Sequence, residues 1–554
     1  MGEAPLRRKV APVTIPERSS AEGGTPWLEV ASLALLIVAQ IAILIAAAIR
    51  NRFDLNPDAI AYLQIARHVA DLRFDLALNG YWGPLLSWLM APFLGFGIDR
   101  LLTARIVLAT SAVLFLLGAI ALIRALGLRR QLLFLAALVT AAASVAWSVD
   151  AVTPDLLAAA FLLFAFATTV SESWATTRRS QVIAGVLWSL GYLAKAVVLP
   201  VGVVVVTLYA LVAALVTARR REHLIAAGVT LLTLLLSAAP WVIALSAKYG
   251  KPTFSTAGPI AHALVGPSDI DRRNPLILGF RTPERGRLLV SEDPSRLPFA
   301  YWSPLASRAY AKHQLDVVRR NSSVIAERIQ AFDRFHFGFW TLVLSAMVLL
   351  ARPRLAARFR WLIAPIPVFA ATLLYVPLWA NDARYYYFAF PFAAAVVFGL
   401  CGLVARGSRA AGGAILVVAA FSFLSPAWHA GRAALDPAPD EPVRAARELA
   451  ARLESLRLAG PVAGSGTVNG SMAALYVAFL LDEPWVGDQP ELDLRALEKS
   501  DAVLYVVSRS ERATVQRLER GSAFQNLDRR LFADPRDAER FPLVAFIRNE
   551  DARE

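Results

Sequence analysis

Apolar runs close to 20 residues long recur along this 554-residue chain, at 27–49, 101–123, 131–148, 155–172, 181–195, 198–217, 224–246, 336–351, 361–379, 385–404 and 410–428. Each approaches the length at which a helix crosses a bilayer core. A segment in lipid must satisfy its own backbone hydrogen bonds, so the runs are predicted to be helices. The fifth is short and leads through Lys195 to Pro200, which predicts a shallow bend into the sixth. The pattern predicts an α-helical polytopic membrane protein of about eleven transmembrane helices. Its first run, after 26 mostly polar residues, reads as an uncleaved signal anchor.

The connections divide into two kinds. Arg7, Arg8 and Lys9 precede the first run, and every second connection then carries arginines: Arg124 with Arg129 and Arg130, Arg178 with Arg179, Arg219 to Arg221, Arg352 with Arg354, Arg358 and Arg360, and Arg406 with Arg409. Cytoplasmic loops retain Arg and Lys, so the alternation predicts a cytoplasmic N-terminus and an extracytoplasmic tail in the cytoplasmic (inner) membrane. The predicted organisation is a cytoplasmic segment 1–26, a transmembrane domain 27–430 with exterior loops 50–100 and 247–335, and an exterior domain 431–554. Loops this long are usually folded or functional, and here they gather on one side.

In the first exterior loop, Asn56-Pro57-Asp58 predicts a capped helix start. Tyr62, Leu63, Ala66, Val69 and Ala70 follow as an apolar stripe, with Gln64, Arg67, His68 and Asp71 opposite, so the helix is expected to lie along the membrane surface. On this reading His68 is a surface histidine. Residues 81–97 are apolar but too short to cross, which predicts an interfacial or re-entrant piece. The long loop carries Arg272, Arg273, Arg281, Arg285 and Arg287 and a predicted helix over 304–334. The tail predicts a helix capped near Asp440, then strands at 461–464, 502–507 and 543–547 alternating with helices, hence a small C-terminal extracytoplasmic α/β domain.

Composition agrees with lipid as the solvent: 57% of residues are hydrophobic, only 18% are charged, and the mean hydropathy is +0.50. The net charge of +14 arises from the loop clusters rather than from one basic face, which argues against nucleic-acid binding. The single Cys401 excludes an intrachain disulfide and a thiolate metal cluster.

Charge inside a bilayer is costly and usually functional. Here the span centres lack it, and ionisable groups collect at predicted exterior ends: Asp58, Arg105, Asp150, Asp155, Lys195, Asp382 and Arg384. A proton-coupled transporter more often needs a relay near mid-membrane, so the distribution favours a site on the exterior face.

In order and sidedness these residues resemble the GT-C glycosyltransferases, particularly the branch of the protein mannosyltransferases, the lipid A aminoarabinose transferase and the rhizobial galacturonosyltransferases. The matching pieces are Asp58 in DAIAYLQIARHV, Thr153-Pro154-Asp155 opening the fourth span, GYLAKAVVLP around Lys195, and Arg384-Tyr385 with Pro391. The resemblance implies a polyprenyl-phosphate-linked sugar donor and transfer to an extracytoplasmic glycolipid, polysaccharide or protein, with membrane lipids as further partners. An acceptor hydroxyl attacking an anomeric carbon benefits from a carboxylate, and the departing phosphate needs positive charge.

Asp58 is the candidate general base and Asp155 a second catalytic acid that positions the acceptor or helps hold a cation, with Asp150 a nearby alternative. Lys195 and Arg384, with Tyr385 beside it, are candidates for binding the donor phosphate. Structural alternatives stand beside each: helix-start acids for Asp58 and Asp155, a snorkelling Lys195, and an Asp382–Arg384 pair in an aromatic belt. No cofactor is firmly implied. The first loop has no Asp-x-Asp pair, so a divalent cation is left open. The competing function is a non-catalytic transporter or flippase of lipid-linked saccharide.

Overall fold

The computed structural model describes residues 26–275, 279–437, 441–465, 468–489 and 491–549. The cluster Arg7, Arg8 and Lys9 and the cap Asp440 lie outside the described residues. Each predicted run coincides with a helix: Pro26–Arg50, Arg100–Ala125, Arg130–Asp150, Asp155–Thr169, Arg178–Ala194, Val198–Val216, Arg220–Tyr249, Phe337–Ala351, Pro365–Tyr375, Ala389–Gly407 and Arg409–Leu435. Among the described residues, seven helices are long and apolar enough to cross a membrane. Asp155–Thr169, Phe337–Ala351 and Arg360–Tyr375 are shorter but apolar. The chain is a polytopic membrane protein. The tenth helix begins later than the predicted 385, because Ala383–Tyr386 forms a separate 3-10 turn that lifts Arg384 and Tyr385 out of the span.

Two ends of the bundle are chemically distinct. At one, Glu29 in the first helix pairs with Arg124 and Arg130 at 3.0 and 2.9 Å. At the other, Arg105 donates to the carbonyls of Asp54 and Val149 at 2.6 and 3.3 Å, tying the first polar loop to the start of the next. Asn56 departs from its expected role. Its side chain does not cap the helix that follows; its Oδ1 instead accepts from the backbone N–H of Val152 at 2.8 Å. This bond joins the segment before Asp58 to the segment before Asp155.

The helix Pro57–Ala70 is not a surface helix. Gln64 and His68, expected on its wet face, are buried, and only Arg67 and Asp71 retain that character. The covering material is the long loop that follows the helix Arg220–Tyr249. His68 Nε2 lies 2.9 Å from the carboxylate of fully buried Glu292, which also accepts from the N–H groups of Leu288 and Leu289. A buried carboxylate needs such partners, and hydropathy periodicity within one helix does not reveal a partner 224 residues away.

The apolar segment 81–97 contains the helix Pro84–Gly95. It packs against the end of Arg178–Ala194 so closely that a Cβ at Gly83 would lie 2.1 Å from the carbonyl oxygen of Ala194. That approach requires glycine and fixes the backbone next to Lys195. Within the long loop, the predicted helix is Arg308–Gln330.

The tail holds a mixed sheet: β1 (Gly279–Phe280), β2 (Val462–Ser465), β3 (Trp485–Gln489), β4 (Leu504–Ser508), β5 (Phe524–Asn526) and β6 (Leu543–Arg548), in the order β1-β3-β2-β4-β6-β5. The β2–β3 and β2–β4 pairs are parallel, whereas β6 runs antiparallel to β4 and β5. β1 comes from that long loop and pairs antiparallel to β3, so loop and tail share one sheet. The helix Val468–Leu481 docks this unit on the membrane part, where the Tyr476 hydroxyl donates to the carbonyl of Leu55 at 2.6 Å. Asp482 adds pairs to Arg67 at 2.5 Å and Arg100 at 3.3 Å.

Candidate active site

Three breaks in helical structure converge beside the helix Pro57–Ala70. Asp58 sits in its first turn, Asp155 opens the helix Asp155–Thr169, Lys195 is the extended residue after Ala194, and Arg384 lies in the 3-10 turn. Side chains at such ends can reach polar surroundings while the helices that carry them remain in lipid.

Arg384 is the centre of the cluster. Its Nη2 donates to Asp58 Oδ2 at 2.9 Å and to Asp382 Oδ2 at 3.4 Å, and its Nε is 3.7 Å from Asp155 Oδ2. Asp155 is buried and also accepts from Lys195. The Lys195 ammonium rests over the Tyr385 ring, 3.9 Å from its centroid, and Tyr385 stacks on Tyr375 at 5.3 Å. An ammonium over an aromatic face is attracted by the ring quadrupole, so the two tyrosines hold Lys195 in place.

The structure thus brings Asp58, Asp155, Lys195, Arg384 and Tyr385 into one network. Asp150 stands apart from it and accepts from the Tyr387 hydroxyl at 2.9 Å. Tyr387 is itself stacked on Trp147 at 4.1 Å. Tyr375 and Tyr62 belong to the surroundings of the cluster but did not stand out in the sequence. Tyr375 closes an apolar run, and only the fold shows that this end faces Tyr385.

The electrostatics are those of a crowded, partly dehydrated site. Burial raises the Asp58 carboxyl above its ordinary value, and the Arg384 guanidinium opposes that rise without cancelling it. For Arg384 burial disfavours the charge, but Asp58 and Asp155 outweigh it and the guanidinium is held more firmly protonated than usual. Burial also pushes the Tyr81 phenol up to about 12, so it keeps its proton at neutral pH beside Asp58. Arg384 Nε is buried without a hydrogen-bond partner. Asp155 Oδ2, at 3.7 Å, is too far to accept a hydrogen bond from it, and a phosphate oxygen at closer range would supply one.

Below the cluster a cavity of about 30 Å³, room for about one water, runs between helices. Asp155, Lys195 and Arg384 form its polar end, and Ala158, Ala159, Val201 and Ala371 form apolar walls. A ligand larger than one water would need these helices to part; charge at one end and hydrocarbon along the walls is the order that an anionic head and an apolar tail would then meet. The positive charge facing the carboxylates comes from Lys195 and Arg384; among the described residues no group of three or more His, Cys, Asp or Glu is arranged around a metal position.

No family model matches the chain, and no curated protein matches it in sequence. Solved structures match its fold. ArnT from Cupriavidus metallidurans, bound to undecaprenyl phosphate, superposes with a TM-score of 0.54 at 15% identity, covering 95% of this chain and 98% of that one. The Archaeoglobus fulgidus oligosaccharyltransferase in complex with Zn and sulfate superposes with a TM-score of 0.52 at 13% identity, over 85% and 68% of the two chains. The oligosaccharyltransferase AglB from the same organism, in complex with an inhibitory peptide and a dolichol-phosphate, gives 0.51 at 14% identity, over 87% and 70%. These are GT-C glycosyltransferases, and this chain has their fold. At such identities the likeness is one of fold, which by itself does not fix a reaction.

Proposed function

We propose that the chain is a membrane glycosyltransferase that moves a sugar from a polyprenyl-phosphate donor to an acceptor hydroxyl on the exterior face, with inversion at the anomeric carbon. The observation that carries this reading is Arg384, a guanidinium beside Lys195 at the polar end of an apolar cavity, whose Nε makes no hydrogen bond and faces the Asp155 carboxylate at 3.7 Å. The neighbours bound to undecaprenyl phosphate and dolichol-phosphate support a donor of that chemical class. The arginine-rich connections support a reading in which the cluster faces away from the cytoplasm, in the inner membrane, with the tail outside.

Donor phosphate enters between Lys195 and Arg384 and competes with Asp58 for the guanidinium. Arg384 lowers the Asp58 pKa at rest, so this exchange leaves a more basic carboxylate at the moment the acceptor arrives. Asp58 takes the hydroxyl proton, the acceptor oxygen bonds to the anomeric carbon, and the bond from that carbon to phosphate oxygen breaks. Its electron pair stays on the polyprenyl phosphate, whose negative charge Lys195 and Arg384 offset. Asp155 holds both cations in position. One neighbouring structure holds an acceptor peptide; the acceptor proposed for this chain is a hydroxyl, carried by a glycolipid, polysaccharide or protein.

The test is to incubate the purified protein with a panel of polyprenyl-phosphate sugars and acceptors. Release of free polyprenyl phosphate that depends on acceptor is expected; transport of intact donor without release would identify a carrier instead.

A further inference from the structure

We propose that a second cavity, next to the charge cluster, is the acceptor subsite, where an acidic group on the acceptor saccharide is held by Arg272 and Arg320 and a sugar ring lies against Trp379. The cavity measures about 330 Å³, within the range that holds a small organic ligand. Its walls come from the long loop, from the helix Arg308–Gln330 and from the segment between Tyr375 and Arg384. Arg272, Arg320, Trp379 and Asn381 supply its charged and polar side chains, and among the described residues no carboxylate lines it.

The arginines distinguish this cavity from a solvated surface. Among the described residues neither guanidinium has a hydrogen-bond or ion-pair partner, whereas the adjacent Arg273 is held by Asp271 at 2.9 Å. Asp382, which follows Asn381 in the chain, is turned to Arg384 at 3.4 Å. Two planar guanidiniums without an acid match a carboxylate or a phosphate, either of which offers paired oxygens. Trp379 is 40% exposed, and among the described residues no other ring stacks on it and the Asn381 side chain makes no hydrogen bond. An open aromatic face with amide and guanidinium donors beside it suits a sugar, which presents C–H groups on its faces and hydroxyls at its rim.

The walls are braced from behind. Buried Asn321 donates to the carbonyls of Val376 and Leu378 at 2.9 and 2.6 Å, and Gln314 donates to that of Pro377 at 3.2 Å, so the helix Arg308–Gln330 holds the segment that presents Trp379. On the other wall, His313 Nε2 lies 2.8 Å from the carbonyl oxygen of Val265. The braced segment runs directly into the 3-10 turn that carries Arg384. Asn381 lies three residues before Arg384, so their Cα atoms are at most about 11 Å apart. A disaccharide bridges that distance, so a glycan gripped in the cavity can present a hydroxyl at Asp58.

The role as an acceptor subsite rests on the transferase reading, but saccharide binding is measured without donor. Isothermal titration of the full chain in detergent uses cellobiose, cellobiuronic acid and cellobiose phosphorylated at the corresponding primary hydroxyl, one backbone that is neutral or carries either acid. At least about tenfold tighter binding of an acidic form is expected, and the better acid identifies the group recognised. Arg272→Ser with Arg320→Ser should bring the acidic forms to the affinity of cellobiose, and Trp379→Ala should weaken all three. Arg319→Ser, on the same helix but outside the cavity, should change none. With donor supplied, the double variant should raise acceptor KM at least about tenfold and leave donor KM unchanged. Selective binding of an acidic disaccharide by a protein that transfers nothing would count against the transferase reading and for the saccharide site. Equal affinity for the three disaccharides, survival of the preference in the double variant, an equal loss in Arg319→Ser, or inorganic phosphate bound as tightly as the phosphorylated disaccharide would overturn the assignment.

Discussion

Arg384 and Asp58 share one hydrogen bond, and what each residue does is set by that sharing. Asp58 acts as a base only when deprotonated, and burial raises its pKa. Activity should therefore be full above the folded pKa and fall as pH drops through it, at higher pH than an ordinary carboxylate would give. The acid limb of kcat/KM reports this directly. Removing the opposing cation should move the limb further toward neutrality, so Arg384→Gln is expected to combine a higher apparent pKa with at least tenfold weaker donor binding. An acid limb that stays in place in Arg384→Gln would mean another group titrates. Tyr375 and Tyr385 carry a subtler expectation. Replacing Tyr385 by Leu removes the face on which Lys195 rests, and donor KM should rise severalfold with a smaller change in kcat.

At the scale of elements, Asn56 and Gly83 set the geometry without touching a substrate. Asn56→Ala leaves the Val152 N–H without its acceptor, which should destabilise the fold by about 1–3 kcal/mol and loosen Asp58 relative to Asp155. Thermal unfolding in detergent, compared with the transfer rate, separates the two effects. The crevice offers a second handle: Ala158→Leu fills its apolar wall and should weaken binding of a polyprenyl phosphate about tenfold while leaving a short-chain analogue less affected. Elements of this kind explain what the sequence could and could not reveal. Long apolar runs are local signals, so the span helices were legible within a few residues. Strands at 462–465, 504–508 and 543–548 were legible for the same reason. β1, with two residues, and the edge strand β5, with three, carry too little pattern of their own and exist because a neighbour pairs with them. The misread face of Pro57–Ala70 has the same origin: His68 and Gln64 look wet until the long loop, remote in sequence, closes over them.

Considered whole, the molecule has a site whose parts come from four distant stretches of chain, capped by a unit that adds no residue to the charge cluster. All five charged members, Asp58, Asp155, Lys195, Asp382 and Arg384, were visible as ionisable residues at helix ends, because charge is excluded from the spans and must collect there. Their mutual contacts were not visible, since the Asp58–Arg384 pair spans 326 residues. The cap is nonetheless coupled to the site. Tyr476 bonds the carbonyl of Leu55, three residues before Asp58, and Asp482 bridges Arg67 and Arg100. Deleting residues 441–554 should consequently reduce transfer by more than tenfold even in protein that remains inserted, and Tyr476→Phe should reproduce a smaller part of that loss. Unchanged transfer after the deletion would show the tail to be an independent appendage.

The central claim is that the Asp58 carboxylate removes the acceptor proton at a phosphate site built by Arg384 and Lys195. Its most direct test is a single-turnover measurement with Asp58→Asn, recording donor affinity and sugar transfer in the same membrane-inserted protein. The account predicts loss of transfer by a factor of at least about 100, with polyprenyl-phosphate binding retained or tightened as Arg384 is released from its carboxylate partner. Transfer at the wild-type rate in that variant would contradict it.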